Sequence, residues 1–190
     1  MRTPQIPTLA DATLIDKAFL EIQTSLVAKL DWLDHAFGKA QRLKKMTDGK
    51  VVIYPGVYVG QEEYLNVFPD EHIGNFTFFD MEDGEDLDHK GRGNINFTAS
   101  FGLIVWFDYR KVYPNDWQQR TIENVKAEVI DALKRTLTRQ SSITLTRTWE
   151  RSENIYKGYT NKEVRQQFLM RPYGGFKIEG DITFKELTNC

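Results

Sequence analysis

Acids are the residues in this chain best placed to do chemistry. Between Asp80 and Asp88, six of nine residues carry a carboxylate: Asp80, Glu82, Asp83, Glu85, Asp86 and Asp88. Clustered oxygens are what Ca²⁺ and Mg²⁺ bind. The run does not fit an EF-hand loop, because Gly84 stands one position early and no Glu closes it. It reads as a solvated loop, or as a loop that touches basic groups on another subunit. His35, expected within the first helix, His72 beside a turn and His89 at the end of the acidic loop have no zinc-site spacing. Cys190 is single and terminal, with no sequence neighbour that would activate it. There is no GxxxxGK[ST], GxGxxG or GxSxG pattern, and Gly91-Arg92-Gly93 is too short for a phosphate cradle. Among 27 acids nothing singles out a pair for acid and base work. The sequence therefore assigns no catalytic residue, no cofactor and no metal ligand.

Two basic features remain. Residues 39–50, KAQRLKKMTDGK, place Lys39, Arg42, Lys44, Lys45 and Lys50 against the single acid Asp48. Such a segment is a solvated, partly helical connector, or a docking surface for an acidic partner or a phosphate backbone. Trp106, Tyr109, Arg110 and Lys111, and Trp149 with Arg147 and Arg151, combine rings and cations that could stack on bases. In a strand-rich chain the same residues also serve as core and cross-strand pairs. A formal net charge of −2 gives no concentrated basic face, so a dedicated nucleic-acid binder is not expected.

The elements that must position these residues are easier to read. The chain has 190 residues, enough for one well-buried core, and it contains no visible repeat or linker. No stretch approaches the roughly 20 apolar residues of a membrane span. One cysteine permits no intrachain disulfide, and the chain is of a soluble, cytosolic type. Phe101 to Val112, FGLIVWFDYRKV, holds the longest apolar run, Leu103 to Phe107, and is expected to be a central strand covered on both faces. A turn at Tyr113-Pro114-Asn115-Asp116 follows it.

Residues 1–12 read as a flexible arm. Ile15, Phe19, Ile22, Leu26, Leu30, Leu33 and Phe37 recur at helical spacing, predicting one helix from Thr13 to a Gly38 cap, with Asp16 completing a variant capping box. Strands are expected at Val51 to Tyr54, broken at Pro55-Gly56 and resumed at 57–59, and around Phe76, Phe78 and Phe79. Residues 80–94 should form a protruding hairpin loop before Ile95, Phe97 and Ala99 enter the central strand. A second amphipathic helix is predicted from Asp116 to Leu137, and a strand from Ile143 through Trp149. A Thr160/Glu163 capping box should open a short helix, and Pro172 with Gly174-Gly175 should form a turn. The last element, Phe176, Ile178, Ile182 and Phe184 alternating with polar residues, is an antiparallel strand with one wet face. Together these predict a single-domain α+β fold, a mixed sheet packed by two helices.

The order of an N-terminal amphipathic helix, a basic connector, the VVIYPG strand, a long hairpin region, FGLIVWFDYRKV, TIENVKAEVIDALKRTL and FKIEGDITFKE resembles the tail-terminator and tail-completion proteins of tailed bacteriophages. The likeness covers residues 13 to 186. It implies a non-enzymatic virion subunit, assembled in the bacterial host cytoplasm into a homo-oligomeric ring, often sixfold, that contacts tail-tube and connector proteins. It carries over no catalytic residues, and it implies no membrane and no sequence-specific nucleic acid as partners. The chain departs from the shortest members in its acidic 80–88 loop and in the insertion around 147–172. A ring needs two different patches that meet between neighbours. The expected pair is Lys39, Arg42, Lys44 and Lys45 on one subunit against Glu82, Asp83, Glu85 and Asp86 on the next.

Overall fold

The computed structural model describes residues 12–60, 62–81, 86–89, 94–134, 141–160, 162, 164 and 166–187. Its elements in chain order are α1 (Leu14–Lys29), β1 (His35–Thr47), β2 (Lys50–Gly60), β3 (Glu63–Asn66), β4 (Phe76–Met81), β5 (Asp86–His89), β6 (Asn94–Asp108), α2 (Tyr109–Val112), α3 (Ile122–Lys134), β7 (Ser141–Trp149), α4 (Ser152–Ile155) and β8 (Tyr173–Leu187). All strands join one mixed sheet in the order β3-β2-β1-β4-β6-β8-β7, with β5 also pairing β6. Only β1 and β4 run parallel. The fold is a single α+β domain, as the alternating and helical patterns predict.

Strand β6 pairs with β8 along its whole length, from Asn94 opposite Leu187 to Asp108 opposite Tyr173. Successive residues of a strand point to opposite faces, and from Phe101 to Asp108 both faces of β6 are buried. Leu103, Val105 and Phe107 join a cluster with Phe19, Ile22 and Leu26 of α1 and Val125, Val129 and Leu133 of α3. Ile104 and Trp106 join a second cluster with Ile155, Tyr156, Tyr159, Val164 and Phe168. The region around 147–172 is therefore the cover of the second sheet face. Trp106 centres that cover: its indole N–H donates to the Phe168 carbonyl at 3.0 Å, and its ring stacks between Phe76 and Tyr173.

Several expectations are corrected. Helix α1 stops at Lys29, and Leu30 and Leu33 reach the same core from the turn that follows. Phe37 lies in β1 and packs on the opposite face of the sheet, so it cannot share a helical stripe with Ile15. Gly38 is a strand residue rather than a cap, and His35 opens β1 rather than lying in a helix. Thr13 does hold the N-cap position, but its side chain makes no capping bond. The 39–50 segment is not a helical connector: it is most of a β-hairpin, with Ala40 to Thr47 paired against Lys50 to Val57. Pro55 and Gly56 sit inside β2, where Leu43 of the partner strand packs over Gly56 in the place a Cβ would need.

The central strand ends at Asp108, whose carboxylate accepts from the Arg110 N–H at 2.9 Å and caps the short turn α2. The second long helix starts at Ile122; Asp116 stands before a separate turn at Trp117–Gln119. Leu137, residues 1–11, 82–85 and 90–93 and Glu163 lie outside the described residues. Asp80 and Met81 belong to β4, and β5 continues along the same edge of β6, so the described part of 80–94 is sheet rather than protruding loop. The chain turns at Arg171-Pro172, and Gly174 and Gly175 follow near the start of β8, where a Cβ on Gly174 would meet the Phe107 ring at 2.8 Å and one on Gly175 the Val105 carbonyl at 3.1 Å.

Replacing Trp106 with Ala removes the centre of the second cluster and should cost about 3–5 kcal/mol. Trp106→Phe should cost less, and urea unfolding followed by circular dichroism measures both. Equal effects of the two substitutions would mean that packing around the ring contributes little.

Candidate functional site

The hairpin of β1 and β2 is held by β4 only at its root, where His35, Ala36 and Lys39 pair with Phe76, Thr77 and Phe79. From Ala40 to Thr47 the strand pairs with β2. Eight strand residues at about 3.3 Å each make a ribbon of roughly 25 Å. Asp48 and Gly49 close it with positive φ angles of 50° and 72°, the two-residue turn whose twist matches that of the strands. An Asp-Gly dipeptide between strand-forming residues is the signal that identifies this hairpin in the sequence.

Near its middle the ribbon is braced by the 151–172 region. The Thr160 N–H donates to the Ile53 carbonyl at 2.8 Å, and the Thr160 hydroxyl accepts from the Ile53 N–H at 3.0 Å. Thr160 therefore uses its side chain on β2 rather than as a helix cap. The Arg42 guanidinium lies 5.7 Å from the centre of the Tyr159 ring and 3.7 Å from the Asp80 carboxylate. Gly158, at φ 91°, lets the chain pass close under that guanidinium.

Asp80 is the centre of this brace. It is only 4% exposed. One carboxylate oxygen accepts from the Lys177 ammonium at 2.9 Å, and the other from the Tyr159 hydroxyl at 2.8 Å. Lys177, 7% exposed, lies where a wet strand face was expected, and its stem fills the space over Gly102. Glu179 stands 3.6 Å from the same ammonium. Burial, with the Asp80 charge beside it, pushes the Tyr159 phenol above its ordinary range. Burial alone does the same to Tyr156, whose hydroxyl has no hydrogen-bond partner among the described residues. With each Asp80 oxygen accepting a hydrogen bond, the cluster ties β4, β8 and the Tyr159 segment together, with Arg42 of β1 beside it. An open cleft of about 200 Å³ borders it, lined by Ser100, Gly102, Glu179 and Asp181 among others.

The expected interface residues are distributed unevenly. Lys39 and Lys44 are exposed on β1. Lys45 lies with its ammonium 5.5 Å from the centre of the Tyr54 ring. Arg42 meets Asp80 of its own chain, so part of the basic segment already meets part of the acidic run inside one subunit. Asp86 is exposed on β5, whereas Glu82, Asp83 and Glu85 lie outside the described residues. Sequence reasoning missed Asp80, Lys177 and Tyr159 as one unit. The available signal was Gly102, a glycine inside an apolar strand, which marks a close approach.

The ribbon also exposes apolar surface. Met46 and Val51 are direct cross-strand partners and are 66% and 58% exposed. Tyr58, Val59, Tyr64 and Leu65 are exposed nearer β3. Trp106 and Tyr109, by contrast, are buried in the two clusters and offer no ring for stacking on a base. Trp149 is half-buried, with Arg147 5.1 Å from its ring centre. Among the described residues no three His, Cys, Asp or Glu side chains come together as a metal group.

Removing one partner of the buried pair should be costly, because the other charge is left without compensation. Asp80→Asn is expected to lose about 3–5 kcal/mol, and adding Lys177→Met should recover part of it; chemical unfolding of the single and double variants checks this. A tyrosine in an unfolded chain titrates near pH 10. Folded Tyr156 and Tyr159 hold their protons beyond that, so their contribution is complete below about pH 10. It is lost as pH rises further, where the unfolded chain alone ionises. Stability should thus fall as pH rises above about 10, and Tyr156→Phe combined with Tyr159→Phe should flatten that fall.

Compared with known proteins, the chain matches no protein-family model and no curated protein.

Proposed function

We propose that the chain is a structural, non-enzymatic subunit that assembles with copies of itself into a ring at the neck or tail end of a tailed bacteriophage. There it would join the tail tube to the connector. The observation that carries this reading is the braced ribbon, which presents the Met46–Val51 pair and exposed Lys44 and Lys50 beyond the sheet. A long arm with apolar groups at its tip gains by burying them against another surface. The brace matters because a stiff arm loses little freedom on association. The resemblance in element order supplies the kind of assembly, and sixfold closure is part of the proposal.

Mass measurement and electron micrographs of the purified chain test this. A closed oligomer of one size, visible as rings, is expected. Met46→Asp with Val51→Asp should break it into folded monomers, because both positions are exposed and their loss leaves the core intact. Lys44→Glu with Lys45→Glu should weaken it, more so at low salt where surface charges act at longer range. A chain that stays monomeric at every concentration up to its solubility limit, or an oligomer untouched by all four substitutions, would overturn the reading.

A further inference from the structure

The main run of strands ends in two edges that no described strand covers, β3 at one end and β7 at the other, and β5, off that run, has a further short one. An edge strand presents a row of unpaired N–H and C=O groups, which proteins usually guard with lysine, proline or very short length. Strand β7 has none of these guards. Its nine residues, SSITLTRTW, contain no Pro, Lys, Asp or Glu, and they are mostly residues that favour extended backbone. A single register shift lies between Leu145 and Arg147, which leaves Ser141 to Leu145 in regular pairing with β8. Strand β3 is short but exposes Tyr64 and Leu65.

The charges on the two edges are opposite. Glu62 and Glu63 are exposed where β3 begins, and the only charged residue of β7 is the exposed Arg147. Every copy thus carries two carboxylates at one end of the sheet and, at the other, one guanidinium that stands opposite Glu179 of β8. Such an arrangement can join copies head to tail in a chain of copies that closes.

We propose that β3 of one copy adds to the β7 edge of the next, so that the sheets of neighbouring subunits become continuous. This rests on the ring reading and names the surface that builds it. The occupant of each edge is a second copy of this chain, held by main-chain hydrogen bonds over about four residues and by Glu62 and Glu63 meeting Arg147, a strand addition. The ribbon carries β3 on its outer side, so its brace also positions the acidic edge.

Cysteine cross-linking in the full chain tests the contact, with Cys190→Ser to remove the native thiol. Directly opposite residues on neighbouring strands have Cα atoms about 4.5–5.5 Å apart, within the range a disulfide spans. Leu65→Cys is combined in turn with Ser142→Cys, Thr144→Cys, Thr146→Cys and Thr148→Cys, the proteins are mildly oxidised, and covalent products are resolved under denaturing conditions. One pairing should give a ladder of multimers ending at the ring's size, and differently tagged chains carrying only one cysteine each should give mixed dimers. Glu63→Lys should lower ring yield, and Arg147→Glu in the same chain should restore it. Rings of normal mass with no cross-link from any pairing, or β7 cysteines that cross-link only to one another, overturn the strand addition and leave the ring reading standing. A chain that never leaves the monomer overturns both.

Discussion

The fold depends on burying Phe101 to Asp108 of β6, with Phe176 to Ile178 of β8 beside them, from both sides. Fifteen residues of each strand pair without a register break, and their alternate side chains feed two separate clusters. A strand wet on one face needs one cover; this pair needs two. Helices α1 and α3 supply the first. The second is made by irregular chain between β7 and β8, where Tyr156, Tyr159 and Phe168 do the work of a helix with aromatic bulk. Aromatic side chains bury large areas at low cost in conformational freedom, so a region of short turns suffices to seal half a sheet.

The Asp80–Lys177 pair sits where that second cover gives out. Lys177 lies opposite Ile104 on β6, two residues along the strand from Gly102 and on the same face, and past it the strand face carries Glu179 and Asp181 beside the open cleft. At such a boundary an apolar side chain would be half wet, whereas a lysine can lay its stem on Gly102 and direct its ammonium to a carboxylate. A buried ion pair adds little net stability compared with apolar residues of the same size. Its effect here is positional: Asp80 can satisfy Lys177, Tyr159 and Arg42 together only when β4, β8, the second cover and the ribbon stand in one arrangement. The polar cluster therefore selects the angle at which the ribbon leaves the sheet.

Much of this was legible in the residues, for physical reasons that differ between elements. The two-sided burial of β6 was readable because Leu103 to Phe107 is apolar without alternation, and β8 because Phe176, Ile178, Ile182 and Phe184 alternate. Helix α3 kept its stripe, with Val125, Val129 and Leu133 all in the core. The N-terminal helix misled because Leu30, Leu33 and Phe37 fall at helical spacing by coincidence: each is buried, but from a turn or from a strand on the far face. The ribbon was missed because its lysines were read as the mark of a solvated connector, although Asp48-Gly49 between extended residues was the stronger cue. Lys177 was read as wet because alternation reports which face a residue occupies and says nothing of what covers it. Covers contributed from distant segments, as Tyr159 is for Asp80, leave no local pattern.

Stiffness connects these features to assembly. An arm of two strands closed by a tight turn would sample many directions if only its root were held, since an isolated hairpin is marginal in water. Here Thr160 pins Ile53 by two hydrogen bonds and Arg42 is held at Asp80 and Tyr159, so the ribbon is fixed at its middle as well. What remains beyond the pins is short, closed by a turn matched to strand twist, and carries Met46 and Val51 outward. Orienting such a tip before contact removes part of the ordering cost that association otherwise carries. A catalytic cleft would need the reverse, with ionisable groups left short of partners and turned toward a ligand. In this chain Asp80 and Lys177 satisfy one another, whereas Met46, Val51 and the outer edges of β3 and β7 stay uncovered by the described residues, and under the proposed ring reading these are the surfaces that meet a neighbouring subunit.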